Sequence, residues 1–221
     1  MRGTWRSSLS IALGIPIATS CALLTPATVE MRKEMLTKIP VELPEGKTHP
    51  ATLLVFAPET SAVYDTTQMA YTTRPYQIAY FSRTEWGERP PQMIHPLLVQ
   101  TLQKTGYFSA VVTPPFTGHY THALRTEILA LQQDFTSEPA TLRLTLRVQL
   151  VAQASNQVVA TKEIDVRQPL REKTPHGGAV AANDAMAKAL REVAEFVLAR
   201  TGLARSAWNG PAAASSAACH P

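Results

Sequence analysis

The sequence predicts a single α+β domain in which a mostly antiparallel sheet carries two helices packed on one face. Residues 142–151 alternate between apolar and polar side chains, which is typical of a strand with one buried face. The turn at 155–157 and the apolar segment at 158–166 complete a hairpin. Segments 90–105 and 179–201 instead repeat apolar residues every three or four positions, as amphipathic helices do. The strands are grouped rather than alternating with helices, which indicates the α+β class.

Four further segments predict strands. Residues 52–57 are continuously apolar, which indicates a central strand buried on both faces. Residues 77–82 and 107–112 are short and largely apolar, and 123–135 has one apolar face. A turn is predicted at 64–66, because Asp and Thr side chains readily bond nearby main-chain N–H groups.

Prolines and glycines mark the ends of the two predicted helices. Pro90 suits a first helical turn, where the N–H group has no intrahelical partner. Gly106 follows the last apolar position of that helix and predicts its end. The second helix is predicted to follow a polar loop at 169–178, to run over 179–201 and to end at Gly202.

The N-terminus carries a targeting signal. An uncharged, mostly apolar segment at 9–17 follows a short positive region and is too short to span a bilayer. Small residues then lead to Cys21, a pattern typical of a bacterial lipoprotein signal peptide over 1–20 with acylation of Cys21. An ordinary secretory peptide is the alternative, which the missing A-x-A site disfavours. Ala22 stands where Asp commonly signals inner-membrane retention, so the outer membrane is favoured.

The sequence after the signal peptide divides into an acylated tether (21–50), an α+β domain (51–202, or beginning near 36) and an Ala/Ser-rich tail predicted to be disordered (203–221). Within the tether, residues 35–39 predict a short strand or, alternatively, a helical turn. Cys219 in the tail is either incidental or a source of a disulfide with another chain. The formal net charge of +4 comes without a Lys/Arg block, so no nucleic acid partner is expected.

The histidines of the sequence do not form a pattern typical of a metal site or a catalytic site. His119 and His122 lie three apart, but in a loop leading into a strand and without a nearby Cys or paired carboxylate. His176-Gly177-Gly178 is similar to a lipase oxyanion loop, but the chain lacks the G-x-S-x-G elbow and the phosphate-binding glycine patterns. We therefore expect no metal, no cofactor and no catalytic residue.

Three carboxylates also fail to indicate acid/base catalysis. Asp65 lies in a predicted turn, while Glu85 and Glu88 read as solvated side chains. A turn residue and two solvated carboxylates are the simpler interpretation of this set. The sequence therefore predicts a protein that is not an enzyme.

Residues 64–93 concentrate large rings with polar tips, which suit a place that packs on one side and meets water or a partner on the other. Three tyrosines are either core residues with bonded hydroxyl groups or surface residues: Tyr64, Tyr71 and Tyr80. Trp, Tyr and Arg dominate contact hot spots in protein interfaces. Four residues are therefore predicted as a partner-contact surface: Arg74, Tyr76, Trp86 and Tyr71.

The same region carries a family resemblance. The segments YDTTQMAY, QIAYFSRTEWGERPPQMIHPLLVQTL and TGYFSAVV resemble the signature of the ABC-type transport auxiliary lipoprotein component family. The resemblance covers about residues 36–199. The first predicted strand, at 35–39, lacks the tyrosine that the family usually has there.

The resemblance implies an auxiliary role in an MCE-type lipid transport system of the Gram-negative envelope. The implied partners are an MCE-domain periplasmic protein with its ABC permease and ATPase, the membrane through the acyl chains, and other copies of the chain in a homo-oligomer. The protein would dock the periplasmic conduit at the outer membrane without binding nucleotide. Two alternatives remain: a lipid- or solute-binding carrier lipoprotein, and a cell-wall hydrolase or its activator.

Overall fold

The computed structural model describes residues 30–44 and 47–208, with side chains as far as Thr201. The strands are β1 (Arg32–Glu34), β2 (His49–Val55), β3 (Glu59–Thr60), β4 (Gln68–Thr72), β5 (Ala79–Trp86), β6 (Phe108–Val112), β7 (His122–Asp134), β8 (Thr141–Ala152) and β9 (Gln157–Pro169). The helices are α1 (Pro90–Lys104) and α2 (Pro175–Trp208). The predicted single α+β domain is confirmed.

The long strand β7 organises the sheet. One edge of β7 pairs antiparallel with β8 along its whole length, and β8 pairs antiparallel with β9. The other edge takes three parallel partners in succession: β2 beside its first residues, β3 beside its middle and β4 beside its last residues. Strand β6 continues the sheet beyond β2, while β5 and then β1 continue it beyond β4. Most paired residues are antiparallel, as predicted, but the parallel partners of β7 were not anticipated.

Both helices lie on the same face of this sheet, as predicted. Helix α1 packs on β2 and β6, helix α2 packs on β8 and β9, and the helices contact each other. Their apolar positions meet those of the strands in one core cluster, where Leu98, Leu146 and Leu190 are fully buried. Burying an aliphatic side chain of this size contributes about 1.5–3 kcal/mol, so this layer supplies most of the stabilising free energy.

Two predicted boundaries are wrong. Residues 35–39 form neither a strand nor a helical turn, and the short strand lies just before them as β1. Helix α2 begins at Pro175 inside the predicted polar loop, and it continues through Gly202. A single glycine inside a helix costs only about 1 kcal/mol relative to alanine, so it does not by itself end one.

The predicted N-terminal and C-terminal segments lie wholly or partly outside the described residues. The predicted disordered tail, 203–221, starts within α2, and residues 209–221 lie outside the described part of the chain. The signal peptide, Cys21 and Cys219 lie outside it as well. Leu36, which the domain boundary at 51 would leave in the tether, is 3% exposed and belongs to the core cluster.

Candidate partner-contact surface

The β4–β5 loop, residues 73–78, projects from the end of the sheet where β7 also finishes. Strand β4 leads into it beside the last residues of β7, and β5 leaves it antiparallel to β4. Two hydrogen bonds shape the loop: the Thr72 hydroxyl donates to the Arg74 carbonyl at 2.7 Å, and the Gln77 N–H donates to the same carbonyl at 3.4 Å. The turn places Tyr76 at a φ of 66°, in the left-handed region that side chains other than glycine rarely adopt.

The loop exposes two of the four predicted contact residues. The Tyr76 side chain is fully accessible, at 107% of its reference exposure, and Arg74 is exposed as well. Ile78, which was not singled out from the sequence, adds an apolar side chain that is 40% exposed. The loop thus presents a ring, an aliphatic side chain and a guanidinium group to the surroundings of the domain.

Tyr71 lies at the base of this loop, half-buried. Its ring centroid is 4.5 Å from that of Phe81 and 6.1 Å from that of Phe135, with the second pair close to edge-on. Such aromatic pairs add about 0.5–1.5 kcal/mol beyond their burial. Tyr71 therefore supports the end of the sheet more than it presents a free surface.

Trp86 is not part of an exposed surface, and that prediction is wrong. Its side chain is 2% exposed and belongs to the core cluster. Strand alternation explains the difference, because Thr84 and Trp86 of β5 both point inward, while Glu85 between them is only partly buried. The polar residues that surround Trp86 in the sequence concealed this alternation.

Two further tyrosines have bonded hydroxyl groups. Tyr64 is nearly buried and its hydroxyl donates to Gln132 Oε1 at 2.6 Å, and the Tyr80 hydroxyl donates to the Val63 carbonyl at 3.1 Å. Burial raises the pKa of Tyr64, and the charge of Arg143 opposes that change. Tyr64 is therefore a core residue whose polar tip reaches the face of the sheet opposite the helices.

A shallow groove of about 460 Å³ runs beside the loop on that opposite face. Loop residues form one wall, and polar side chains of β7 and β8, including Gln132, Asp134 and Arg143, form the floor. Arg143 Nε donates to Asp165 Oδ1 at 3.2 Å, so its charge is already compensated. The groove is polar and open, in contrast to the filled layer beneath the helices.

The histidines and carboxylates considered as metal or acid/base candidates do not form a common site. His119 lies in an exposed loop and His122 is the first residue of β7, so the two do not share a helical face. Asp65 lies in the predicted turn, with Oδ2 at 3.5 Å from Arg89 Nη1. Glu85 Oε1 is 3.4 Å from Lys33 Nζ, and Glu88 is exposed.

His176, Gly177 and Gly178 belong to the first turn of α2 rather than to a loop. The His176 ring contacts the Glu34 carboxylate at 3.1 Å. A Cβ atom on Gly178 would clash with the side-chain amide of Gln133, and one on Gly177 would clash with the Glu172 carbonyl. Gly178 therefore allows the start of α2 to approach the end of β7 closely, and Gly177 allows the loop before α2 to pass close to the helix.

One contact was missed entirely from the sequence. The side-chain Oδ1 of Asn183, on α2, accepts hydrogen bonds from the main-chain N–H groups of Thr37 and Lys38, at 2.9 and 3.0 Å. Its Nδ2 donates to the Met35 carbonyl at 2.9 Å. An asparagine within a helix gives no signal of such a long-range partner. The contact fixes the segment that leads towards the predicted lipid anchor.

Within residues 30–44 and 47–208, no group of three or more His, Cys, Asp or Glu side chains is arranged to hold a metal ion. Over the same ranges, no helix combines the length and apolar character that crossing a membrane requires.

Comparisons with solved structures support the fold. Protein XCC0632 from Xanthomonas campestris, a DUF330 protein, matches with a TM-score of 0.70 at 16% identity, covering 80% of this chain and 98% of that one. A protein described as uncharacterized matches with a TM-score of 0.62 at 11% identity, covering 76% and 99%. PelC from Paraburkholderia phytofirmans, a dodecamer, reaches only 0.41 at 13% identity, covering 68% and 91%, too distant to support an argument.

No curated protein matches the chain. The family model for the ABC-type transport auxiliary lipoprotein component matches residues 35–195. This range extends from the segment that Asn183 holds, through strands β2 to β9, into helix α2. The resemblance seen in the aromatic segment is therefore confirmed over most of the chain. The chain belongs to the ABC-type transport auxiliary lipoprotein component family.

Proposed function

We propose that this protein is a non-catalytic lipoprotein, acylated at Cys21, that serves an MCE-associated ABC transport system for lipids or other hydrophobic solutes. It docks the periplasmic conduit of that system at the outer membrane. The observation that carries the proposal is the family match over residues 35–195, which begins 14 residues after the predicted acylation site.

The path of the chain near its N-terminus supports anchoring. Leu36 is packed in the core, and the next residues are held by Asn183. Eight residues separate Cys21 from Glu30, where the described structure begins. Such a segment spans at most about 30 Å when fully extended. An acyl anchor at Cys21 would thus keep the domain close to the membrane surface.

The layer between helices and sheet supports a docking role over the alternative carrier role. A carrier would hold its lipid in that layer, but fully buried side chains occupy it, including Leu102, Leu146 and Met186. Interiors are packed about as densely as organic crystals, so a lipid could enter only if the helices moved off the sheet.

The test is purification of the full chain from membranes in mild detergent, followed by mass spectrometry of bound proteins and lipids. The expected result is an acylated N-terminal cysteine and copurification of an MCE-domain protein with an ABC permease and ATPase. Cys21→Ser is the matched control, and it should release the protein from the membrane without changing its fold. A stoichiometric lipid without protein partners would instead establish the carrier role.

The choice of membrane has its own test. Membranes from cells that express the acylated protein are separated by density, and the protein is expected in the outer-membrane fraction. Ala22→Asp should move it to the inner-membrane fraction, because an aspartate at this position commonly signals retention there. Wild-type protein in the inner-membrane fraction would contradict docking at the outer membrane.

A further inference from the structure

The N-terminal segment joins the sheet through β1, which runs along the last residues of β5 in the direction away from the β4–β5 loop. Strand β1 runs parallel to β5, with Arg32 beside Thr84 and Glu34 beside Trp86. Because β5 runs away from the loop, Arg32 is the residue of β1 nearest to it. The chain that precedes Arg32 therefore reaches the domain from the loop side.

The strand register gives the distance between Arg32 and the β4–β5 loop. Thr84 lies in the bulge of β5 between Glu85, paired with Gln68, and Tyr80, paired with Ala70. Arg32 is consequently level with the first residues of β4, about 15 Å along the strand from the start of the loop. Eleven positions separate Arg32 from Cys21, an extended reach of about 40 Å. A membrane that holds Cys21 therefore lies within reach of the loop.

The Asn183 contacts hold the chain that follows β1. They hold Met35, Thr37 and Lys38 against α2, and Lys38 Nζ lies 2.6 Å from Asp184 Oδ1. With the strand pairing of β1 and the burial of Leu36, these contacts fix where the anchored segment leaves the domain. An anchor that precedes β1 lies on the side of β1 that faces the loop, which favours poses with the loop end towards the lipid.

The residues of the loop suit a lipid–water interface. Tyr76 is fully exposed, Pro75 precedes it and Ile78 is partly exposed, while residues 73–78 contain Arg74 and no carboxylate. Tyrosine is enriched at membrane interfaces because its ring is apolar and its hydroxyl meets the headgroups. The left-handed conformation of Tyr76 costs about 1 kcal/mol and is not offset by packing, and such strain is typically kept at functional positions.

We propose that the β4–β5 loop rests in the interface of the membrane that holds the acylated Cys21, with the Tyr76 ring at headgroup level and Arg74 facing lipid phosphates. The inference rests on the proposed acyl anchor. It names the lipid surface, rather than a transport protein, as the partner of this loop. The loop sets the orientation of the domain, while the acyl chains supply the affinity.

The test places a fluorescent probe on the acylated full chain in vesicles of phosphatidylethanolamine and phosphatidylglycerol. In a Cys219→Ser background, Tyr76→Cys carries an environment-sensitive probe. Val158→Cys carries the same probe as the matched control, because Val158 is 54% exposed and lies beside the β8–β9 hairpin, at the opposite end of β8 from the loop. Quenching by lipids labelled on their acyl chains reports contact with the bilayer.

The expected result is a blue-shifted emission and strong quenching at position 76, with neither change at position 158. Equal and weak quenching at both positions, on protein that floats with the vesicles, would overturn the membrane contact and leave the anchor intact. Protein that fails to float would mean that the anchor itself is absent. A probe at position 76 that stays in water on vesicles but becomes shielded in the purified transport complex would assign the loop to a protein partner.

Discussion

The side-chain amide of Asn183 donates a hydrogen bond to the main-chain carbonyl of Met35 at 2.9 Å and joins helix α2 to the N-terminal segment. The same side chain accepts two main-chain N–H groups, from Thr37 and Lys38. A single residue therefore satisfies three backbone groups of a segment that has no regular secondary structure. This relation ties residues 35–38, which follow β1, to helix α2.

Replacing Asn183 tests that relation. Asn183→Ala removes the three hydrogen bonds to this segment and the one from Nδ2 to the Ala179 carbonyl within α2. Each has a net value of about 0.5–1.5 kcal/mol, so the free energy of unfolding should fall by about 2–6 kcal/mol in urea titrations. Hydrogen exchange of residues 35–39 should accelerate. Asn183→Asp keeps the acceptor for Thr37 and Lys38 but places a carboxylate oxygen against the Met35 and Ala179 carbonyls, so it should not restore the lost stability. Unchanged exchange of 35–39 in the alanine variant would show that other contacts hold the segment.

Trp86 should affect stability rather than assembly. Trp86→Ala leaves a cavity in the core and should lower the free energy of unfolding by about 3–5 kcal/mol. Tyr76→Ala, at the exposed loop, should change it by no more than about 0.5 kcal/mol. Urea unfolding followed by circular dichroism measures both. Comparable small effects for the two variants would contradict the burial of Trp86.

Replacing Gly178 by alanine should destabilise the protein, although the same change usually stabilises a helix. Alanine normally stabilises a helix interior by up to about 1 kcal/mol over glycine. Here the added methyl group would clash with the Gln133 side chain, so Gly178→Ala should destabilise the protein by about 1–3 kcal/mol.

A second substitution isolates the cause. Gln133→Ala makes room for the methyl group, so the double variant should be more stable than the sum of the single effects predicts, as measured by a double-mutant cycle. Additive effects would mean that the clash is relieved without Gln133.

Asp165 should make stability depend on acid pH. Burial alone would raise its pKa, but hydrogen bonds from Thr145 and Arg143 and the charges of Arg143 and Arg167 outweigh it and hold the pKa below its usual value. A carboxyl group with a lowered pKa in the folded state contributes stability above its unfolded pKa of about 3.9, and that contribution is lost as pH falls further.

Two variants should lose less free energy of unfolding than the wild-type protein as the pH falls. The free energy of unfolding of wild-type protein should fall below pH of about 4, and Asp165→Asn should fall less steeply there. Thr145→Val removes one hydrogen bond, keeps the carboxyl group, and should lie between the two. Unfolding measured from pH 6 downwards provides the comparison. Superimposable profiles for all three proteins would refute the role of Asp165.

Local patterns predicted much of the fold. The alternation at 142–151 gave β8, and Pro90 and Gly106 marked the ends of α1. These features depend on one residue and its near neighbours in the chain, which is the range that periodicity and turn chemistry describe. The family resemblance likewise depends on local segments, and the family model confirms it.

The candidate surface was predicted only in part for the same reason. Arg74 and Tyr76 lie in a loop whose composition indicates exposure, and both are exposed. Trp86 shares that composition, but the pairing of β5 turns its ring into the core. Which face a strand buries depends on partners far away in the chain, so the residue types around Trp86 could not decide it.

The sequence alone determined the α+β class, the hairpin, the two helices, the family and the predicted anchor at Cys21. Only the tertiary structure decided that β7 takes three parallel partners along one edge, that Asn183 holds the N-terminal segment, and that β1 pairs with the last residues of β5. These relations join residues more than 40 positions apart. Such contacts form because burial and hydrogen bonding are satisfied for the chain as a whole, and short-range patterns do not record them.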